Sequence, residues 1–144
     1  MRNRNEGWQG DFPRREEAED CAGRMRSFLV DCHEGGLGYT VRAVEERHEG
    51  VGYEFAAYSE TSPYSALGRM RQKMRQGLAT RHVTGSPGNY QMLHDRLRGR
   101  IAWHPEGRMV LVVDGIPLEI EDLAEILRSH EGWGFELQIA DALE

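Results

Sequence analysis

The sequence predicts an α+β fold, a mainly antiparallel sheet with helices packed on it, in the order α-β-β-α-β-β-(β)-α-β. Three observations carry that prediction. Short runs alternate apolar and polar residues and come in pairs joined by turn-rich connections, as in Tyr39–Ala43 followed by Tyr53–Ala57. Between such pairs lie stretches whose apolar residues recur every three or four positions, the helical period. Asp114-Gly115 stands between two apolar runs and suits a two-residue type I′ turn, where both central residues take positive φ. Hairpins in succession favour antiparallel pairing, and the interspersed helices then cover the sheet.

Residues 1–12 are polar, contain glycine and lack periodicity, and read as a disordered tail. Pro13 can open a helix, and from Arg14 to Cys32 the residues Ala18, Cys21, Ala22, Met25, Phe28, Leu29 and Cys32 form one apolar helical face. Glu16, Glu17, Glu19 and Asp20 crowd the first half of that helix, where its dipole favours acids, and Gly35-Gly36 ends it. The hairpin over Tyr39–Ala57 follows. Ser62-Pro63 then starts a second helix, with serine as cap and proline at the first position, running to about His82. Leu67, Met70, Met74 and Leu78 share its core-facing side.

Residues 84–89 form a loop, and Tyr90–Leu97 fits a short helix or a loop equally well. Gly99–His104 reads as a strand with Ile101 and Trp103 on one face and Arg98, Arg100 and His104 on the other. Met109–Val113 is apolar on both faces, which predicts a central strand covered on both sides. Pro117 confines the next short strand to an edge or an early end. Glu119–Ser129 is a helix with Ile120, Leu123, Ala124 and Leu127 as its buried stripe, acids in the first turn and Arg128 and His130 at its end. After Gly132, Trp133, Phe135, Leu137 and Ile139 alternate with Gly134, Glu136 and Gln138, the clearest strand pattern in the chain.

The chain has 144 residues, 29% charged and 39% hydrophobic, which suits one soluble domain, read here as residues 13–142. Its longest aliphatic run, Val110–Val113, is far too short to span a membrane, and no apolar leader stands at the N-terminus. A cytoplasmic location, without membrane association, is the expectation.

The run Val112-Val113-Asp114-Gly115, a short strand, a Leu-rich helix and then Glu131-Gly132-Trp133-Gly134-Phe135-Glu136-Leu137 resembles a family of small prokaryotic domains of unknown function. Arg81-His82 and Gly99-Arg100-Ile101 are similar to the upstream half of that family. The resemblance spans roughly residues 38–140. It implies the fold alone, because the family carries no assigned activity from which a functional residue could be transferred.

No catalytic constellation is legible. His-Glu-Gly occurs at 33–35, 48–50 and 130–132, but never with two histidines four apart on one helix, and the placements suit turns and helix ends. Cys21, Cys32 and His33 lack the close cysteine pair of a structural zinc site, and Cys32-His33 lacks a third orienting group. On one helix the two cysteines would be too far apart for a disulfide. Gly35-Gly36-Leu37-Gly38 precedes a strand rather than a helix, and Thr84–Gly88 lacks the lysine of a phosphate-binding loop. Neither a metal nor a cofactor is expected.

Charge is the functional lead. The net charge of −6 hides a basic middle: residues 67–105 hold 8 basic and 1 acidic side chain, and residues 106–144 hold 2 basic and 10 acidic. Arg69, Lys73, Arg75, Arg81, Arg96, Arg98 and Arg100 are the candidate anion-binding residues. The overall acidity argues against a usual nucleic-acid binder. The expected function is therefore a non-enzymatic interaction module, binding a protein partner or a second copy of itself. Binding of nucleic acid or another polyanion through residues 69–100 is the alternative.

Overall fold

Asp20 sets the course of the first half of the chain. Its carboxylate accepts from the backbone N–H groups of Ala22 (2.9 Å) and Arg24 (3.0 Å), and Gly23 takes φ 80° while donating to the Asp20 carbonyl. Such a carboxylate-capped turn with a left-handed glycine reverses the chain. The result, in a computed structural model describing residues 7–47 and 50–143, is a hairpin of β1 (Arg14–Glu19) and β2 (Met25–Gly35) where the sequence suggests one helix. Phe28 and Val30 are buried at strand spacing, so a two-residue period overrides the three-to-four spacing also present.

The chain's contacts gather into two compact units. The first comprises residues 1–46, 54–79 and 141–144. Its sheet has the order β1-β2-β3-β4, all antiparallel, with β3 (Gly38–Glu45) and β4 (Glu54–Ser59) forming the expected second hairpin. Helix α1 (Pro63–Ala79) covers one face. Leu67, Met70, Met74 and Leu78 are all buried, as their spacing requires, and Phe28, Val30, Val41, Ala43 and Ala57 supply the sheet side of the core. Ser62 caps the helix, its Oγ accepting from the Tyr64 N–H at 3.1 Å. Gly77 allows close approach: a Cβ there would stand 2.5 Å from the Phe55 ring.

Residues 7–12, assigned by the sequence to the tail, are ordered. Trp8–Asp11 makes a 3-10 turn, and Trp8 is buried edge-on against Phe12 and Tyr39. Asp11 accepts from the Tyr64 hydroxyl at 2.7 Å. Burial of two aromatic side chains supplies the driving force that the polar composition hides. Residues 1–6 of the expected tail lie outside the described residues.

The second unit comprises residues 47–53 and 80–140. It holds a two-stranded ladder of β5 (Val83–Thr84) and β6 (Gln91–Met92), so the undecided Tyr90–Leu97 stretch is strand and turn rather than helix. A three-stranded antiparallel sheet has the order β7-β8-β9, with β7 (Gly99–Trp103), β8 (Met109–Val113) and β9 (Ile116–Leu118). The two-faced strand is central, as expected, with Val110, Val112 and Val113 buried. Helix α2 (Ile120–Arg128) begins with a reciprocal capping box between Glu119 and Asp122. Its buried residue is Ile126, not the stripe read from sequence; Ile120, Ala124 and Leu127 are exposed. The alternating run Trp133–Ile139 forms no strand. No helix among the described residues is long and apolar enough to cross a membrane.

Candidate interaction surface

The second unit is tied together at Asp114. This residue takes φ 55° and Gly115 φ 75°, the turn the sequence predicts. Its carboxylate also has a role that the turn does not require. One oxygen accepts from the backbone N–H groups of His82 (2.7 Å) and Val83 (2.9 Å), and the other lies 2.8 Å from His82 Nδ1. This clamp seats Val83 in a small core with Tyr90, Val113, Leu118 and Ile126. The segment 47–53 is anchored to the same unit, since Arg47 donates to the Gly115 carbonyl and Arg100 to the Gly52 carbonyl.

That core covers only part of the sheet face. Residues 99, 101 and 103 share a face with 109, 111 and 113, because directly paired residues of antiparallel strands point the same way. Leu111 and Val113 pack into the core, but Ile101 is 57% exposed, Trp103 is 72% exposed, and their neighbour Met109 is exposed as well. Downstream of α2 lies the larger anomaly. Trp133, Phe135, Leu137 and Ile139 are 72, 89, 79 and 71% exposed. The Trp133 ring meets only the edge of His130, at 5.3 Å between centroids, among the ring contacts of the described residues. Scattered exposed apolar residues are ordinary, whereas four at alternate positions make an unusually dense exposed run.

The seven basic candidates divide between the units. Arg69, Lys73 and Arg75 lie in the first. Lys73 Nζ donates to the carbonyls of Ala56 (2.9 Å) and Ala142 (3.1 Å), and Arg69 donates to the Tyr58 carbonyl at 2.9 Å. Both therefore cap carbonyls along β4, which among the described residues pairs with β3 alone. They line an open groove of about 530 Å³ with Tyr58, Gln72, Gln76 and Leu143. Arg75 is exposed. Arg81, Arg96, Arg98 and Arg100 belong to the second unit. Arg81 Nε donates to the Val83 carbonyl, while Arg96 and Arg98 are exposed. The neighbouring Arg71 makes a two-pronged ion pair with Glu16, at 2.9 and 2.8 Å, and hydrogen bonding to that carboxylate raises its pKa.

The remaining polar features are structural in geometry. Cys21 lies in the β1–β2 turn and Cys32 on β2, both as free thiols, and burial first, then Asp31 and Glu34, raises the Cys32 pKa and disfavours a reactive thiolate. Of the His-Glu-Gly copies, His33 closes β2 and His130 follows α2; His48 and Glu49 lie outside the described residues. Among the described residues, no three His, Cys, Asp or Glu side chains gather where they could hold a metal ion.

Two family models match the chain. Residues 10–79 match a domain of unknown function (DUF7686) and residues 82–144 match a second domain of unknown function (DUF7713). Together the two matches run over most of the chain, consistent with small domains of unknown function. No curated protein and no solved structure matches it.

The DUF7686 match ends at Ala79, the last residue of α1, and the DUF7713 match opens at His82, held by Asp114. Within the DUF7713 match, the alternation at Ile101, Trp103 and residues 133–139 predicts strands but does not reveal that these side chains lie open. Alternation announces a strand face but carries no sign of whether a neighbour exists to cover it. The signal present in the sequence is the contrast between Glu131 and Glu136, before and within that run, and Arg96, Arg98 and Arg100, at and before β7.

Proposed function

We propose that the protein is an interaction module that docks through the DUF7713 domain. The observation carrying this reading is the exposure of four large apolar side chains at alternate positions from Trp133 to Ile139. Leaving such a surface in water is unfavourable by roughly 25 cal/mol for each Å² that a partner could cover. The module acts as a soluble cytoplasmic protein and needs no metal, cofactor or chemistry of its own. The test is light scattering across a concentration series, together with cross-linking to co-purified proteins and the same measurements on Phe135→Ser/Leu137→Ser. Concentration-dependent association or specific capture that the double variant loses supports the reading. A strict monomer that captures nothing counts against it.

A second reading rests on Arg96 and Arg98, exposed in a stretch with three arginines and no acid between residues 96 and 104. There a polyanion such as nucleic acid would meet both exposed cations at once. Titration of single- and double-stranded nucleic acid at low salt decides it: binding must weaken steeply as salt rises.

A further inference from the structure

We infer that the Trp133–Ile139 segment is a donor strand that adds to the outer edge of β7 in a second copy of this chain. The inference rests on the docking role proposed above and names the occupant of that surface. Strand β7 pairs with β8 on one side, and among the described residues no strand pairs with its other side. An edge of this kind presents unpaired N–H and C=O groups that an extended segment can satisfy.

Side-chain parity fits the two elements together. With Trp133, Phe135, Leu137 and Ile139 on the face shared by Ile101 and Trp103, the apolar surfaces become continuous. Glu136 and Gln138 then fall on the opposite face, the one carrying Arg98 and Arg100. Charge matches as well: residues 131–140 contain Glu131 and Glu136 and no Lys or Arg, while residues 96–104 contain Arg96, Arg98 and Arg100 and no Asp or Glu. Shifting the segment by one residue would place Glu136 among apolar neighbours and the aromatics in water, so the pairing has a preferred parity.

A second copy supplies both halves of the junction at equal concentration. In a two-fold arrangement each copy gives one strand and receives one, which closes the assembly. Aromatic side chains bury roughly 150–250 Å² each, and two junctions involving six large apolar residues apiece reach about 1,600 Å², the size of a standard stable interface.

The experiment is complementation between two full-length variants. Phe135→Asp/Leu137→Asp removes the donor and keeps the edge; Ile101→Asp/Trp103→Asp removes the edge and keeps the donor. All four positions are exposed, and circular dichroism checks that each variant folds. The expected result is a dimeric parent, a dimer dissociation constant raised at least tenfold in each variant alone, and a heterodimer when the two are mixed. If the edge variant does not fold, Arg98→Glu and Glu136→Lys replace the pair, each weakening the dimer at low salt and restoring it when mixed. A parent dimer indifferent to the donor substitutions overturns strand exchange while leaving the docking role intact. So does a partner of a different kind that binds the 133–139 run of a monomeric parent. A monomer whose residue 134–139 amides are protected from hydrogen exchange places the strand on its own β7 and also overturns the inference. A monomer with those amides unprotected overturns it too.

Discussion

The two sheets treat their edges in opposite ways. In the DUF7686 domain, β4 has carbonyls capped by Lys73 and Arg69 from the helix above it, and the opposite edge strand, β1, carries Arg14, Arg15, Glu16, Glu17 and Glu19. Charged edges and covered carbonyls discourage a further strand from adding. In the DUF7713 domain, β7 carries Ile101 and Trp103 in the open, and the chain keeps an unpaired alternating run nearby in sequence. One sheet is closed to addition and the other is prepared for it. Exposed apolar surface and an exposed edge are each common alone, and the docking role we propose rests on both occurring in one small region.

The largest effect expected belongs to the closed sheet. Met70 is fully buried, so Met70→Ala should destabilise by about 2–5 kcal/mol through lost burial and a residual cavity. Urea unfolding measures it. Next comes the clamp of the open domain. Asp114→Gly keeps the left-handed turn conformation but leaves two backbone donors without their acceptor, and a cost of roughly 2 kcal/mol is expected.

Lys73→Ala should cost only about 1 kcal/mol, the worth of a partly solvated hydrogen bond. Its more informative outcome is new concentration-dependent association through β4, read by sedimentation; without it, the contrast between capped and open edges loses its basis. Acid should act at Asp20. Burial alone would raise its pKa, but bonds from Arg26 and from the Arg24 and Ala22 N–H groups outweigh that and leave it lowered. The folded carboxyl therefore holds its proton less tightly than the unfolded one. The stability it contributes is fully present above its ordinary value of 3.8 and is lost as pH falls through the lowered folded value. Asp20→Asn should flatten the acid limb of a pH–stability profile. The smallest effect is expected from Phe135→Ser, within about 0.5 kcal/mol in the monomer, because nothing is uncovered by it; a large loss would show that the run is covered after all.

Much of the second hairpin, α1, the Asp114-Gly115 turn and the central β8 was legible because each is determined by neighbours in sequence. Ser62-Pro63 caps and opens a helix whatever surrounds it, and a two-faced apolar strand must sit between others. The first hairpin was missed because Ala18 to Cys32 satisfies both periods, and the choice fell to the Asp20 turn and to the Arg26 bonds with Asp20 and Glu45, both 2.8 Å long. The candidate cations stand out in the sequence as a class, but their local roles do not. Nothing local distinguishes Lys73, reaching the Ala56 carbonyl seventeen residues back, from Arg75, exposed on the same helix.

The sequence alone determined the α+β class, the core side of α1, the turn at Asp114-Gly115 and the charge division between the middle and the final third. These follow from backbone preference and periodicity, which act over a few residues. Tertiary structure alone decided that residues 14–35 pair as strands, that Ile126 is the buried residue of α2, and that Trp133–Ile139 pairs with no strand among the described residues. Each of those depends on whether another part of the chain is there to receive a hydrogen bond or cover an apolar side chain, and periodicity records the demand for a partner without recording its supply.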